Sequence, residues 1–453
     1  MDTGTRLAVR TASTENSIWR DLPEAEFRQH LINLERRTNA VPMDSETFAS
    51  HCADEGENGR SWLTSHSEQQ LADDIAYIAS VREGAQSVAA VCIIRQQKPY
   101  PVLRLRFAAA DTISKPVTDM MSSIFALLGE TNSIEPTENF AIAERILSAI
   151  LDQHKSKILG RLRSRAWKKP QYLKESHKKP LWEDFANVLH RVQHVYPAKR
   201  QEAHRRSVRS HLEVLASLYE QFERIADTEL EDGLRDLVKA TYEFCHQSSV
   251  RRFAADLARL RATNQIAAAL KCLHQLEKVA AYWRIANDLV KSAREFPSLF
   301  HHVDLECLPP YEAVPTNSAY ESWAKTCHVH AEVQLLVAWD LDQADLKRNG
   351  AGAITSEIRV IGTSKYLCYL CYLFMKFHGT CSPTNTHGRL YDQWTVPDLA
   401  AFSPVTRHRY RYILAKIDAV ISTQAAQEPY WRPEPMTSRQ NLLFEPHLSI
   451  SVG

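Results

Sequence analysis

The strongest constraint on the fold lies in the order of four short patterns near the C-terminal end of the chain. HAEVQLLVAWDLDQADL (330–346) has helical character, KRNGAG is a turn, EIRVIGTS (357–364) is an apolar, β-branched strand, and KYLCYLCYLFMKFHG is a second helix. Cys368 and Cys371 stand three apart, so on a helix both sulfurs share a face. In the first turn they also meet the positive end of the helix dipole, which favours thiolate. His330 and Glu332 would diverge inside a helix and converge only where a helix begins, and the polar KTCHV before them allows a start there. His330, Cys368 and Cys371 are then three candidate zinc ligands, with a fourth position open to water as in catalytic zinc sites. Glu332 is the candidate catalytic residue, a carboxylate that takes the proton of that water and hands it on.

At 453 residues and 44% hydrophobic content the chain has room for two or three domains, or for one core with a large insertion. With only 13 glycines, much helix is expected and a propeller or loop-dominated β protein is disfavoured. Net charge is +1, but residues 151–210 hold 16 Lys and Arg against 5 Asp and Glu, so a basic segment sits in an otherwise acidic chain. No secretory signal and no membrane-length apolar run is visible, and nine scattered cysteines form no disulfide framework. The expectation is an intracellular protein, cytoplasmic or nuclear, with free thiols and no membrane partner.

Five regions follow from pattern. Residues 1–80 are polar, with helical stretches AEFRQHLINLERR and EQQLADDIAYIASV and no visible chemistry. Residues 81–112 contain a candidate β-hairpin, SVAAVCIIRQ and PVLRLRFAAA joined by QKPYP. Residues 113–307 read as helical, with apolar stripes at Ile142, Ile146, Leu147 and Ile150, at Leu215, Leu218, Tyr219, Phe222 and Ile225, and at Leu276, Val279, Ala280, Trp283, Ala286, Leu289 and Val290. WKKPQYLKESHKKPLW interrupts them as a loop. Residues 308–425 form the zinc-binding core, entered through LPPYEAVPTNS, and 426–453 are a C-terminal tail opened by EPYWRPEP. No fixed-period repeat is present.

H-x-E followed by C-x-x-C across helix, strand and helix is the pattern of zinc-dependent cytosine and adenine deaminases. HAEVQLL, IGTSKYLCYLCYLF and THGRLYDQW together resemble a fungal, largely uncharacterised branch of the cytidine deaminase-like superfamily, over about residues 328–395. The resemblance implies an α/β fold, a mixed sheet flanked by helices, here with a large mainly helical additional region. It implies Zn2+ held by His330, Cys368 and Cys371, Glu332 as proton shuttle, and hydrolytic deamination of a nucleotide or nucleic acid. In that fold a hairpin precedes the H-x-E helix; the candidate is the one at 87–110, which makes the helical region an insertion. Many deaminases carry Pro before the first cysteine, where this chain has Leu367, a change that touches substrate placement and not the metal.

Other readings of the same residues stand beside this one. A C-x-x-C at a strand-to-helix turn also suits a redox pair, and free cysteines are often simply core. Cys327 and His328 are spare donors beside His330, read as helix-entry residues because a fourth protein ligand would close the site to water. His387 either lines the pocket or shapes a turn with Gly388, and Trp394 is a second weak substrate-binding candidate. Tyr366, Tyr369, Tyr372 and Phe374 read as packing. The basic segment, with Trp167, Tyr172, Trp182 and Tyr196 among its cations, suits nucleic-acid contact, or else a solvated face paired with EQFERIADTELEDG. The alternative function is an inactive deaminase-like protein that keeps zinc as a structural element and acts as a binding module.

Overall fold

The computed structural model describes residues 5–48, 63–84, 87–96, 102–131, 135–168, 179–261, 263–348 and 357–436. The QKPYP loop, Tyr172 and most of KRNGAG and WKKPQYLKESHKKPLW lie outside these residues. The strands are β1 (Glu46–Thr47), β2 (Ala89–Gln96), β3 (Val102–Ala109), β4 (Val303–Cys307), β5 (Val314–Pro315), β6 (Thr326–Val329), β7 (Glu357–Thr363), β8 (Asn385–Thr386) and β9 (Trp394–Thr395). The helices are α1 (Glu24–Thr38), α2 (Ser65–Ala79), α3 (Lys115–Glu130), α4 (Asn139–Leu162), α5 (Phe185–Val195), α6 (Glu202–Phe222), α7 (Leu230–His246), α8 (Ser248–Ala258), α9 (Asn264–Glu295), α10 (Pro297–Phe300), α11 (Ala331–Arg348), α12 (Tyr369–His378) and α13 (Pro404–Ala425). The chain is a mixed α/β protein with sheets flanked by helices and a large helical region, in two units: one from residues up to Phe125 and from Phe296 onward, the other from Ala126–Glu295.

The main sheet of the α/β unit runs β4-β3-β2-β7. β2 and β3 are an antiparallel hairpin, and β2 also pairs antiparallel with β7, the strand leading to the cysteines. Ala90, Cys92 and Ile94 of β2 join the core cluster that holds α11 and α12, leaving Val91 and Ile93 for the opposite face, where α2 packs on β2 and β7. Burial on both faces is why this strand reads as an unbroken apolar run instead of an alternation. Contact with α2 is close: a Cβ on Gly362 of β7 would stand 2.1 Å from the Ala72 carbonyl carbon, so only glycine fits.

One boundary differs from expectation. Residues 303–307, assigned by pattern to the end of the helical region, form β4 and pair parallel with β3. The register puts Asp304 beside Arg104 and Glu306 beside Arg106, with ion pairs of 2.8 and 3.0 Å. VDLEC is short and only half buried, so it lacks the apolar signal of a central strand, and its acid alternation answers the arginine alternation of a strand far away in sequence. The opening of the C-terminal tail also lies against the unit: Tyr430 N–H donates to the Arg37 carbonyl at 3.0 Å and its hydroxyl to that of Pro42 at 2.9 Å.

In the helical unit α9 packs against α4, α5, α7 and α8. The expected stripes are buried except Ile225, half-buried beyond the end of α6, and Leu218, 37% exposed, which lies about 80° off the face defined by Val208, Leu212, Leu215, Tyr219 and Phe222. Buried polar groups here meet one another: His154 and the Tyr282 hydroxyl at 3.0 Å, Tyr219 and Thr241 at 2.9 Å. The basic segment is largely paired within the unit. Lys155 meets Glu231 at 2.8 Å, and Arg165 N–H donates to Glu223 at 2.8 Å. Tyr196, offered by the sequence for stacking, is instead core and donates to Asp256 at 2.9 Å, and Trp167 packs on Gly160.

Candidate metal centre and its cavity

Each side chain of the cluster sits where a strand hands over to a helix. β6 ends at Val329, His330 follows, and α11 begins at Ala331, with Gln334 N–H donating to the His330 carbonyl at 3.0 Å as the first helical bond. His330 and Glu332 therefore straddle the helix start. Gln334 fixes that start: its amide donates to the carbonyls of Val329 and Ala109, both at 2.9 Å, tying α11 to the ends of β6 and β3. On the other side Cys368 is the N-cap of α12, extended at φ −71° and ψ 164°, and its sulfur accepts from Cys371 N–H at 3.4 Å. The α12 entry is held by the THGR segment. Tyr369 N–H donates to the Arg389 carbonyl at 2.9 Å, His387 N–H to that of Leu367 at 3.0 Å, and Leu367 N–H to Asn385 at 3.2 Å. Gly388, at φ +73°, lets this segment press on the chain at Met43, whose carbonyl oxygen would be 1.9 Å from a Cβ.

His330 Nδ1 stands 3.5 Å from Cys368 Sγ and 3.4 Å from Cys371 Sγ, and Glu332 Oε2 accepts from Cys371 Sγ at 3.4 Å. A tetrahedral zinc with ordinary Zn–S and Zn–N bonds needs N···S separations of about 3.6 Å. The observed distances match, and His330, Cys368 and Cys371 are the one such group among the described residues. Burial opposes ionisation of Cys368, yet the bond from Cys371 and the facing His330 hold its thiol well below the ordinary value. Burial and then Cys368 push Cys371 well above it. Burial alone would lower His330, and the Cys368 thiolate reverses that. Of the two sulfurs Cys368 is thus the more acidic, and a divalent cation held here would displace any proton on either. Burial raises the Glu332 carboxyl, with His330 opposing and the Cys368 thiolate adding to the rise.

The cluster opens on a cavity of about 410 Å³, lined by His330, Glu332 and Cys368 and by residues from well-separated parts of the chain. Tyr366, Tyr391 and the exposed Trp323 give it aromatic surface, and Lys325, Lys365 and Arg389 give it positive charge. His387 both lines the cavity and shapes the turn, since its Nδ1 accepts from Arg389 N–H at 3.1 Å. Burial pushes its pKa down to about 4, so the ring is neutral near pH 7 with its proton on Nε2.

The strand β6 alternates, which separates the two spare donors. Cys327 points into the core and His328 into the cavity, its Nε2 3.1 Å from the Thr326 hydroxyl; neither joins the three-residue cluster. Trp394 is not at the cavity: 1% exposed in β9, it packs on Phe27 and Phe374 as part of the core. Tyr372 stacks on Phe48 at 5.1 Å, and Phe374 stacks on Tyr410 at 5.8 Å, both as packing.

One wall residue belongs to none of the motifs. Glu35, on the last turn of α1, is 2% exposed and lines the cavity; its Oε1 accepts from Asp392 N–H at 3.3 Å and its Oε2 has no partner. Burial, then the neighbouring Asp392, pushes its pKa up to about 9. Gln334, behind the wall, has no motif either and holds the frame. A lone Glu or Gln in an amphipathic helix carries no local signal for such a role.

No helix among the described residues is long and apolar enough to cross a membrane, and none of the eight described cysteines forms a disulfide. No curated protein and no solved structure matches the chain. Residues 329–398, from the end of β6 through the second cysteine and THGRLYDQW, match the family described as OTT_1508-like deaminase, so the segment that carries the His-Cys-Cys cluster and Glu332 is similar to deaminases.

Proposed function

We propose that the chain is a zinc-dependent hydrolytic deaminase acting on a cytosine or adenine base of a nucleotide or nucleic acid. The observation that carries this is the placing of His330 Nδ1 3.5 and 3.4 Å from the two sulfurs, with Glu332 beside them on the wall of a cavity. Zinc held by His330, Cys368 and Cys371 supplies a Lewis acid that makes a water acidic near neutral pH. Glu332 takes the proton of the attacking water as oxygen joins the amino-bearing ring carbon, passes it to the adjacent ring nitrogen, and then assists departure of ammonia. The carbon–nitrogen bond to the amino group breaks, and a carbonyl replaces it. Tyr366, Tyr391 and Trp323 offer the apolar surface that a base needs on its faces, and Lys325 offers charge for a phosphate. The similarity at 329–398 supports the reaction class.

The test is zinc per chain together with a deamination screen on cytidine, adenosine and single-stranded oligonucleotides. About one zinc is expected in the native protein and none in the Cys368→Ser, Cys371→Ser double variant, with ammonia released only by the first. Zinc without turnover of any substrate favours the binding-module reading instead.

A further inference from the structure

Glu35 is a buried carboxyl group of the cavity wall that the reaction above does not use. It comes from α1, nearly 300 positions before His330, and reaches the cavity because the end of α1 is built into the wall. Asn39 and Ala40 both take left-handed backbone, at φ 51° and 57°, and the Ala40 carbonyl accepts from Leu390 N–H at 2.8 Å. Left-handed backbone at a β-carbon residue such as Ala40 is strained, and the strain serves to lay the last turn of α1 along residues 390–392. That places the Glu35 carboxyl on the Asp392 backbone, with one oxygen bonded and the other unmatched. A buried carboxyl oxygen with no partner costs stability that leucine at this position would not, and a ligand that pairs with it recovers that cost.

The charge state follows from the neighbours. Asp392 and Glu321 add negative charge, while Arg389 is occupied by Glu434 and stacks over Tyr391 at 5.4 Å. A carboxylate beside Asp392 in this surrounding is disfavoured, and the neutral acid prevails, in keeping with a pKa near 9. Oε1 accepts from the Asp392 backbone, so the proton falls on Oε2, and the free valence is a donor. We propose that Glu35 is a substrate-recognising residue, donating a hydrogen bond from Oε2 to a lone pair on the ring of the bound base, a carbonyl oxygen or an unprotonated ring nitrogen. Cytosine presents O2 and adenine N3 or N7 as such acceptors, apart from the ring nitrogen that takes its proton from Glu332. The proposal rests on the deaminase reading of the cavity and adds to it the residue that reads the base.

Glutamine is the informative substitution, because its amide keeps an acceptor for Asp392 and a donor for the ligand. Zinc-loaded full-length protein is assayed with cytidine, adenosine and single-base oligonucleotides. Glu35→Ala is expected to raise KM at least about tenfold with a smaller change in kcat, and Glu35→Gln to return KM to within about threefold of native, with zinc content unchanged in both. Native KM in Glu35→Ala, or Glu35→Gln as damaged as Glu35→Ala, overturns the proposal and leaves the deaminase reading intact. Absence of turnover by the native, zinc-loaded protein overturns the deaminase reading itself. A measurement independent of substrate and of the folding of Glu35→Ala is the infrared difference between native protein and Glu35→Gln at pH 7. It is expected to show the carbonyl stretch of a protonated carboxyl group, and a carboxylate signature in its place overturns the proposal.

Discussion

The helical unit and the metal cluster of the α/β unit bury polar side chains in opposite ways. In the helical unit His154 meets Tyr282, Tyr219 meets Thr241 and Tyr196 meets Asp256, pairs that satisfy themselves and fix the packing of the helices that carry them. In the α/β unit an imidazole, two sulfurs and a carboxyl crowd together at 3.4 to 3.5 Å, and Glu35 lies on the same cavity with one oxygen unmatched. Saturated polar pairs specify a fold, whereas an unsaturated set awaits a ligand. Perturbed groups alone would not tell the two apart, since both units contain them; convergence on a cavity does.

The largest expected effect breaks the chemistry of one unit without touching its frame. Glu332→Gln is expected to keep zinc and lower kcat by about 10² to 10⁴, read by steady-state assay beside elemental analysis. A smaller effect separates structural from chemical charge inside the α/β unit. Asp340 on α11 accepts from His378 of α12 at 3.0 Å and from Arg409 of α13 at 3.1 Å. Burial would raise its carboxyl, but these two partners outweigh that and hold it below its ordinary value. A carboxyl lowered on folding contributes stability above its unfolded value and loses it as pH falls through the lowered one. Asp340→Asn is therefore expected to cost about 3 kcal/mol near neutral pH and to flatten the decline of melting temperature below about pH 4, with zinc retained.

Next comes the frame of the site itself. Gly388→Ala meets both a left-handed backbone and the Met43 carbonyl, and is expected to cost about 3 kcal/mol in thermal or denaturant unfolding. Gly379→Ala, at nearly the same φ of +71° but with open space around it, is the control and is expected to cost about 1 kcal/mol. The smallest effect belongs to the helical unit. Lys155→Ala removes an exposed pair with Glu231 and is expected to change stability by less than about 0.5 kcal/mol. A loss of several kcal/mol there would mean that the basic segment is part of the fold and not a solvated face.

The helix that starts after His330 and the helix capped by Cys368 were legible because both are local: H-x-E marks a helix start, and C-x-x-C shares a face within one turn. The hairpin of β2 and β3 was legible for the same reason, as two runs joined by a short loop. β4 was not, because its evidence is the matching of Asp304 and Glu306 to two arginines that no local window contains. Nor was the wall of the cavity, since Glu35 reaches it only through tertiary packing, its helix end held by the bond of Leu390 N–H to the Ala40 carbonyl, and a polar amphipathic helix looks the same whether its last turn faces water or a ligand. Trp394 shows the reverse error: an aromatic residue in a motif-bearing segment is as readily core as contact.

The parallel pairing of β3 with β4 has a consequence for how the protein is made. Arg104 and Asp304 are 200 positions apart, so at ordinary elongation speeds of 5–20 residues per second a ribosome needs about 10–40 s to go from one to the other. Through that interval the β2–β3 hairpin has emerged with neither of its eventual neighbours synthesised, β4 on one side and β7 on the other. Arg104 and Arg106 put positive charge on the edge that waits for β4, the kind of edge that discourages pairing with a stray strand from another chain. The ladder that closes the sheet in the finished protein thus begins as a guard on the nascent one.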